Sequence, residues 1–431
     1  MSQLTAALTV PGWDADPRVA SWPGLPPLDG DAVADACVVG LGGSGLAAVE
    51  ELVERGLSVV GVDAGRVAAG AAGRNGGLLL GGTAPSFHDA VRDWGSEPAA
   101  WLYHQTLAEL DHLLDVLPDG VVRRAGSLRL AGGVHVDDGE RARELADCAA
   151  QAAALREHRI AVEEVSGPYG QGLFLPDDAQ ANPVVRHLGV LAHVQRAAGE
   201  QGTPLQLHER THVRLVVPGR VETDDGAVSA GVVLVAVDGR LDVVLPQLGG
   251  DVPRVRTARL QMLATTPLDG DDAARVRERV PCGVYERWGY DYAQLDDGPA
   301  GLRLLVGGGR DADREAEWTT STEPTPAVQA HVERVAERLL GRRLHEREVA
   351  HRWGASVGYT APEAQGRALC GLVDDGAAGQ VAAVGGYCGT GNLVGAVAGR
   401  AAVRLLLDGD EPPPCFTSPA STSGAVGEHG Q

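Results

Sequence analysis

The stretch Val38–Gly45, "VVGLGGSG", decides the fold class of this 431-residue chain. It places a Gly-x-Gly-x-x-Gly pattern directly after the short apolar run "DACVVG" and before a helical pattern from Ser44 to Arg55. The next apolar run, "LSVVGVD", reads as a second strand that ends in Asp63. A strand, a glycine turn, a helix and a second strand make a β-α-β unit, so the stretch predicts a Rossmann-like α/β fold that binds a nucleotide.

Each residue type in this unit has a physical task. Gly40 permits the tight turn, Gly42 lets the backbone approach a pyrophosphate, and Gly45 lets the helix pack closely on the strand. The free N–H groups and the dipole at the helix N-terminus attract phosphate. A carboxylate at Asp63 can accept hydrogen bonds from both ribose hydroxyls and disfavours a 2′-phosphate. These features serve NAD and FAD equally.

The charged residues exclude several classes of function. The 37 basic residues are all arginine, and the net charge is −21. Without lysine the chain can form no Schiff base and has no Walker-A lysine, which excludes transaminases, class I aldolases and P-loop NTPases. A strongly acidic chain without a basic block repels phosphate backbones, so we expect no nucleic-acid partner.

The sequence also bears on location. No apolar run approaches the roughly 18 residues that span a bilayer, and the N-terminus lacks the pattern of a signal peptide. The six cysteines include no Cys-x-x-Cys pair and suggest neither a disulfide scaffold nor a zinc site. The sequence therefore predicts a cytoplasmic protein with no metal site and no membrane attachment.

Two later stretches favour FAD over NAD. A second glycine-dense loop, "GRVAAGAAGRNGGLLLGG", follows Asp63 at once, and "GGYCGTGN" joins a strand to a helix near the C-terminus. An NAD domain needs neither. Together with "AQANP" at 179–183, "VAVDG" at 235–239 and "RWGASVGYT" at 352–360, they make the chain from about Asp35 to Asp410 resemble the D-amino-acid-oxidase-like amine oxidoreductases, such as glycine oxidase, sarcosine oxidase and γ-glutamylputrescine oxidase.

The resemblance implies a discontinuous organisation. A Rossmann-like FAD-binding domain carries an inserted α+β substrate domain built on a mixed β-sheet. We expect an irregular lead-in at 1–34, an FAD-binding domain at 35–84, 176–240 and 345–410, a substrate domain at 85–175 and 241–344, and a disordered Pro/Ser/Gly-rich tail at 411–431.

The resemblance also implies which residues hold the cofactor. The loop at 70–77 runs beneath the pyrophosphate toward the isoalloxazine, Val213 meets the adenine through its backbone, and the loop at 389–392 opens a helix toward the pyrimidine end of the flavin. The predicted FAD-binding residues are Gly40, Gly42, Gly43, Ser44, Gly45, Asp63, Ala64, Gly70, Ala71, Ala72, Arg74, Asn75, Gly76, Gly77, Val213, Ala236, Gly239, Gly386, Gly389, Thr390, Gly391 and Asn392.

The family's reaction, as the resemblance implies, is hydride transfer from the carbon beside an amine nitrogen to flavin N5, which leaves an imine for water to hydrolyse. No catalytic acid or base is obligatory, because the cofactor carries the difficult step. Aromatic residues near the flavin suit an amine substrate. The predicted pocket and catalytic residues are Tyr290 and Tyr292, expected on one strand, with Tyr285 and Trp288 before them, and Trp353, Tyr359, Tyr387 and Arg74.

Two departures from the family pattern sharpen the expectation. Sarcosine oxidases use a lysine near the flavin to activate oxygen. Here an arginine or a histidine, with Arg74 as the candidate, supplies that charge, or the acceptor is not oxygen. Sarcosine oxidases link flavin to a cysteine that aligns near Val357, so FAD is expected to be non-covalent.

Val357 also stands where glycine oxidase has a carboxylate-binding arginine in a Trp-x-Gly-x-Arg frame. A carboxylate buried against valine would cost several kcal/mol. Free α-amino acids are therefore expected to be poor substrates, and amines whose acid group is absent, distant or masked to be better ones. Arg287 or Arg352 could supply the missing charge, which keeps a D-amino-acid, glycine or sarcosine oxidase or dehydrogenase open. A flavin-binding partner subunit without catalysis is the alternative of another class.

Overall fold

The computed structural model describes residues 9–249, 254–299 and 301–419. Strands and helices alternate through most of this part of the chain. The strands described are β1 (Ala32–Val39), β2 (Val59–Val62), β3 (Leu78–Leu79), β4 (Val122–Arg123), β5 (Ser127–Ala131), β6 (Glu163–Gly167), β7 (Gly170–Leu175), β8 (Ala179–Ala181), β9 (Leu205–His208), β10 (Val213–Val217), β11 (Arg220–Thr223), β12 (Ala227–Val235), β13 (Val255–Thr265), β14 (Gly283–Glu286), β15 (Asp291–Gly298), β16 (Gly301–Gly308), β17 (Val349–Thr360), β18 (Ala368–Gly376), β19 (Gly379–Gly385) and β20 (Phe416–Thr417). The α-helices described are α1 (Pro17–Ala20), α2 (Gly43–Glu54), α3 (Ala71–Arg74), α4 (Phe87–Trp94), α5 (Ser96–Val116), α6 (Asp138–Glu157), α7 (Pro183–Gln201), α8 (Leu241–Val244), α9 (Gly270–Arg279), α10 (Pro326–Leu340) and α11 (Gly391–Asp408).

A nine-stranded sheet carries the predicted β-α-β unit. Its main path is β20-β18-β19-β12-β1-β2-β9, and the β10-β11 hairpin pairs with β12. The strands β19, β12, β1, β2 and β9 are mutually parallel, so their carboxyl ends lie along one edge. Ligands of doubly wound folds bind at this edge, where Gly40, Asp63 and Ala236 follow their strands.

Glycines allow the first helix of this sheet to approach its neighbours closely. A Cβ at Gly45 would overlap the carbonyl oxygen of Gly40, and one at Gly399 of α11 would overlap that of Ser44. Neither clash could be relieved by rotating a side chain, because the opposing atoms are backbone. The predicted packing role of Gly45 is confirmed, and the close contact fixes the N-terminus of α2 beside β1.

An eight-stranded mixed sheet forms the second layer of the molecule. Its order is β17-β13-β16-β15-β14-β5-β7-β6, and β14 pairs with β5 in parallel while the other pairs are antiparallel. The short strands β3, β8 and β4 form a third sheet, in which β8 is the central strand. The α/β Rossmann-like fold with a mixed second sheet is confirmed.

The domain division remains a prediction, but two of its boundaries need correction. The segment 345–410 was assigned to the FAD-binding domain, yet β17 within it pairs with β13 from Val255 to Thr265 and belongs to the eight-stranded sheet. The segment 241–248, assigned to the substrate domain, buries Leu241 and Leu245 in the apolar cluster of the nine-stranded sheet. Chain order alone cannot show which sheet a strand joins.

The two terminal segments are more ordered than the sequence suggested. The described part of the lead-in is less irregular than expected, because it contains a turn of 3-10 helix at Gly12–Ala15, the helix α1 and the start of β1. It also buries Trp13, whose indole donates to the Asn75 carbonyl oxygen at 2.9 Å. The prediction of a disordered tail is wrong for residues 411–419, because β20 pairs with β18 and Cys415 is fully buried. The remainder of that prediction, and residues 1–8 of the lead-in, lie outside the described residues.

Candidate active site

A large cavity opens at the carboxyl edge of the nine-stranded sheet and extends to the eight-stranded sheet. Its volume is about 1070 Å³, just above the range of about 300–1,000 Å³ that is usual for a small-molecule pocket. Residues from both sheets line it, among them Gly40 and Asp63 on one side and Tyr292 and Val357 on the other. The cavity can therefore hold an extended ligand together with a smaller one.

The first glycine loop forms one wall of the cavity. Gly40 has φ +98°, and a Cβ there would come within 2.5 Å of the Ala236 carbonyl oxygen, so the turn requires glycine. The helix α2 begins at Gly43 with no side-chain cap. Its first N–H groups therefore remain available to an anion in the cavity.

Two glycines that line the cavity, one in each of the first two glycine loops, are not explained by the protein's own packing. Gly42 has φ −82° and the nearest atom to an added Cβ would be 3.5 Å away, while Gly70 has φ −83° and nothing within 4 Å. Any residue adopts such backbone angles, and both positions line the cavity. Because Gly42 and Gly70 have no side chain, a ligand in the cavity can lie close to the backbone at both positions.

Asp63 ends β2 at the cavity wall, where it is half-buried. Its carboxylate accepts hydrogen bonds from the amides of Leu41 and Gly65, both at 2.8 Å. Desolvation is the largest influence on its pKa, which lies above the ordinary value despite these two amides. Each oxygen keeps lone-pair capacity for a hydroxyl donor from the cavity. Val213, at the start of β10, lines the same region.

The second glycine loop and the C-terminal loop are fastened to each other. Asn75 and Asn392 exchange side-chain hydrogen bonds at 3.1 and 3.2 Å. Arg186 donates to the side-chain oxygen of Asn392 at 3.0 Å, and burial lowers the pKa of this arginine to about 10. Tyr387 shares a hydrogen bond of 2.6 Å with Ser44, which ties the C-terminal loop to α2. The N-terminus of α11, which also lacks a side-chain cap, is thereby held at the cavity.

His187 lies beside the first glycine loop and is uncharged. A Cβ on Gly43 would sit 3.4 Å from its Nε2, while its Nδ1 is 2.6 Å from the Pro183 carbonyl oxygen. Burial, followed by the neighbouring Arg186, lowers the pKa of His187 to about 3. His187 therefore borders the cavity as a neutral imidazole at neutral pH.

Tyrosines line the part of the cavity that faces the eight-stranded sheet. Tyr292 of β15 lies across from Tyr285 of β14, and Tyr359 projects from β17. Burial raises the pKa of Tyr292, and it raises that of Tyr359 to about 12. These hydroxyls are therefore neutral at ordinary pH. A Cβ on Gly76 would touch the ring of Tyr292 at 2.7 Å, so this ring packs directly on the second glycine loop.

The sequence model of the family described as FAD dependent oxidoreductase matches residues 35–405. The chain belongs to this family. The matched region contains the eight-stranded sheet and, except for β20 and the first residues of β1, the nine-stranded sheet. It also contains every loop that lines the cavity from the nine-stranded sheet. The predictions of the family, of an FAD cofactor and of an oxidoreductase are therefore confirmed.

Individual relatives of this FAD-dependent oxidoreductase are distant in sequence. The chain is 26% identical to "Probable oxidoreductase OrdL" of Rhizobium meliloti, over 89% of this chain and 86% of that protein. It is 28% identical to γ-glutamylputrescine oxidoreductase of Escherichia coli, over 65% of this chain and 66% of that protein. The structure of glycine oxidase from Geobacillus kaustophilus superposes with a TM-score of 0.63 at 17% identity, covering 91% of this chain and all of that one. This last likeness concerns the fold.

The residues present fit FAD. A ligand with a pyrophosphate, a ribose and two ring systems matches two uncapped helix N-termini, a half-buried carboxylate and two glycines whose missing side chains leave room. The predicted cofactor residues that line the cavity are Gly40, Gly42, Gly43, Ser44, Asp63, Ala64, Gly70, Ala71, Ala72, Arg74, Asn75, Gly76, Val213, Ala236, Gly389, Thr390, Gly391 and Asn392.

We expect Asp63→Ala to weaken FAD binding and to leave the fold intact. Hydrogen bonds to a charged acceptor contribute about 1.5–3 kcal/mol each, so the dissociation constant should rise roughly 10- to 100-fold. Fluorescence titration of apoprotein with FAD measures the change, and the far-UV circular dichroism of the apoprotein checks the fold. A dissociation constant within about twofold of the wild-type value would place the ribose elsewhere.

Other predicted site residues do not line the cavity. Gly45, Gly77, Gly239 and Gly386 shape the turns and helix contacts behind its wall. Trp353 is fully buried, and its indole donates to the Arg74 carbonyl oxygen at 2.9 Å. The structure thus gives Trp353 a position behind the second glycine loop rather than against a substrate.

Tyr290 lines the cavity, but it does not share a strand with Tyr292 as predicted. A turn of 3-10 helix at Arg287–Gly289 ends at Tyr290, and β15 begins one residue later. Trp288 within this turn has φ +53° and is 48% exposed at the cavity. The alternation rule fails here because the hairpin is interrupted by residues in left-handed conformation.

The arginines proposed to compensate for Val357 are engaged elsewhere. Arg287 pairs with Asp291 and Asp311, and Arg352 pairs with Glu333 and Glu346. Neither lines the cavity, whereas Val357 does. Four arginines that do line it were not predicted, and no sequence pattern marks them: Arg129, Arg186, Arg240 and Arg310.

Proposed function

We propose that this FAD-dependent oxidoreductase oxidises the C–N bond of a small amine to an imine, which water then hydrolyses. The observation that carries the proposal is the continuity of the cavity. Its glycine-walled part, suited to FAD, passes without interruption into a part lined by Tyr285, Tyr290, Tyr292 and Tyr359. A small amine in the tyrosine-lined part would lie directly beside the second glycine loop.

In this proposal the cavity residues from the nine-stranded sheet hold the cofactor. The N-terminus of α2 takes the pyrophosphate, Asp63 takes the ribose hydroxyls, and Val213 lies by the adenine. Gly70 to Gly76 and the loop from Gly389 to Asn392 border the flavin ring. FAD supplies the acceptor for the hydride that leaves the carbon beside the amine nitrogen. We propose that FAD binds non-covalently, because Val357 has no sulfur atom with which to form the bond that the cysteine of sarcosine oxidases makes to the flavin.

The chain's own residues then bind and orient the amine. The tyrosine hydroxyls near the substrate are neutral, so they donate or accept hydrogen bonds without taking a proton. Their rings exclude water from the reacting carbon and present faces that attract a cationic or polarised nitrogen. Tyr387 has its hydroxyl engaged by Ser44, which suits a positioning role between the two cofactor loops.

The electron acceptor in this proposal is oxygen or another oxidant that reaches the same cavity. Arg74 lines the cavity and donates to the carbonyl oxygens of Ala69 and Gly354 at 3.0 and 2.9 Å. Burial lowers its pKa. We retain Arg74 as the positive charge that takes the place of the lysine in sarcosine oxidases.

A cytoplasmic location is part of the proposal. The six cysteines are unpaired, and all but Cys388 are buried. Unpaired thiols persist in a reducing compartment. Within the described residues no helix is long and apolar enough to cross a membrane.

The named activities of the relatives support an amine substrate. One relative is a γ-glutamylputrescine oxidoreductase, and structures with the same fold include glycine oxidase. An oxidase or dehydrogenase of glycine or D-amino acids is the nearest alternative. A flavin-binding partner without catalysis is disfavoured, because a protein that only bound FAD would not need a tyrosine-lined space open to it.

Product analysis tests the proposal. The reconstituted protein is incubated with a panel of amines and either oxygen or an artificial electron acceptor. We expect the carbonyl compound and the released ammonia or amine to appear in equal amounts, and the comparison of acceptors distinguishes an oxidase from a dehydrogenase. A protein that binds FAD but yields no carbonyl product from glycine, sarcosine, D-alanine, putrescine, γ-glutamylputrescine or simple primary amines would favour the non-catalytic alternative.

A further inference from the structure

Arg310 is a buried cation that lines the cavity. It is 8% exposed and lines the cavity where β16 ends. Its Nη1 has no hydrogen-bond partner, and within residues 9–249, 254–299 and 301–419 no carboxylate pairs with it. An unpaired buried charge is costly, so such a group marks a position where a ligand supplies the missing partner.

The other arginines of the cavity have partners. Arg74 and Arg240 donate to backbone carbonyl oxygens, Arg129 pairs with Asp147, and Arg186 donates to Asn392. Among the five arginines that line the cavity in the described part of the chain, Arg310 alone has neither a hydrogen bond nor an ion pair. The structure thus leaves one guanidinium free.

Aromatic rings fix the position of this guanidinium. Its Cζ lies 4.5 Å from the ring centre of Tyr359, 5.1 Å from that of Trp318 and 5.9 Å from that of Tyr290. Such contacts offset part of the cost of burial and orient the planar group, but they use ring faces and leave its N–H donors available. A pre-oriented fork of N–H donors matches a carboxylate.

We propose that Arg310 binds a carboxylate of the substrate, so that the substrate is an amine that also carries an acid group. This inference rests on the proposed amine oxidation. Val357 and Arg310 line the same cavity, so Arg310 presents from the end of β16 the positive charge that Val357 of β17 cannot supply. Of the three alternatives expected from the sequence, an acid group that is absent, distant or masked, this proposal drops the first. The length of chain between amine and acid is the quantity that the experiment measures.

Matched pairs of amino acids and their amides test the role of Arg310. Glycine and glycinamide, β-alanine and β-alaninamide, and γ-aminobutyrate and γ-aminobutyramide differ only in the acid group. Anaerobic reduction of the holoenzyme gives a half-saturating concentration for each. For one chain length, we expect the wild type to favour the acid over its amide about 100-fold, and Arg310→Met to remove that preference by weakening the acid far more than the amide.

Two further measurements separate binding from catalysis. Acetate, propionate and butyrate carry the acid without the amine, and one of them should shift the visible spectrum of bound flavin in the wild type and not in Arg310→Met. Removal of an uncompensated charge should leave the melting temperature of the apoprotein equal or higher, and Arg310→Lys, which keeps the charge without the fork, should restore part of the acid preference. Arg352→Met is the control, because Arg352 lies outside the cavity and should retain the full preference.

The outcomes are distinguishable. An acid-to-amide preference that is equal in wild type and Arg310→Met overturns the proposal. A rise in the dissociation constant for FAD, with the acid preference kept, makes Arg310 a cofactor contact and also overturns it. If no amine reduces the flavin, the proposed function fails, yet a carboxylate-induced spectral shift that depends on Arg310 would still establish its anion site.

Discussion

Gly42→Ala is expected to give a folded protein that binds FAD much more weakly. The added Cβ meets nothing closer than 3.5 Å in the protein, so the fold accommodates it. It occupies the wall where the backbone must approach the pyrophosphate. Overpacking costs about 1–3 kcal/mol, which corresponds to an affinity reduced by up to roughly 100-fold. The FAD dissociation constant and the melting temperature of the apoprotein measure the two effects separately.

A matched control isolates the cavity from the substitution itself. Gly231 on β12 also has room for a Cβ, with the nearest atom at 3.6 Å, but it does not line the cavity. Gly231→Ala should therefore bind FAD as the wild type does. Alanine is a poorer N-cap than glycine, which lowers the apoprotein stability of Gly42→Ala by about 1 kcal/mol or less. Equal FAD affinity in both variants would mean that the pyrophosphate does not approach Gly42.

Gly45→Ala is expected to damage the fold itself. Its Cβ would overlap the backbone oxygen of Gly40 and force α2 away from β1. A backbone clash in a packed core should lower the free energy of unfolding by about 3 kcal/mol, the upper part of the usual range for overpacking. Chemical denaturation of the apoprotein measures this change without reference to the cofactor.

The control for this substitution is a glycine in a helix with open surroundings. Gly199 of α7 is exposed, and a Cβ there meets nothing within 4 Å. Gly199→Ala should therefore stabilise the protein, by roughly 0.4–1 kcal/mol, through the smaller conformational freedom of the unfolded chain. If Gly45→Ala were as stable as Gly199→Ala, the close packing of α2 on β1 would be contradicted.

Most of the predicted residues on the side of the nine-stranded sheet do line the cavity, because the constraints on them are local. A glycine such as Gly40 is required by a turn a few residues long, and Asp63 lies at the end of the neighbouring parallel strand. The helix N-cap at Asn182 is a constraint of the same local kind, since its side chain accepts from the amides of Val184 and Val185. Constraints between residues that are close in sequence can be recognised from the sequence alone.

The substrate side depends on contacts between distant segments. Alternation along β17 puts Trp353 on the same face as the cavity residues Val357 and Tyr359. It nevertheless packs behind Arg74, which is 279 residues away in sequence. Arg310 follows a run of glycines that reads as an ordinary turn, and only the folded chain brings Tyr359 and Trp318 around it. The tail was judged by its proline and serine content, whereas Phe416 finds a strand to pair with. Composition does not report such partners.

The most direct test of the whole account is anaerobic titration of the purified protein, followed by its visible spectrum. The protein should show the bands of oxidised flavin, and acid precipitation should leave FAD in the supernatant, as non-covalent binding requires. An amine that carries an acid group should bleach these bands, while the alcohol with the same carbon skeleton should not. Flavin that is reduced by dithionite but by none of the amines would contradict the assignment of this cavity to amine oxidation.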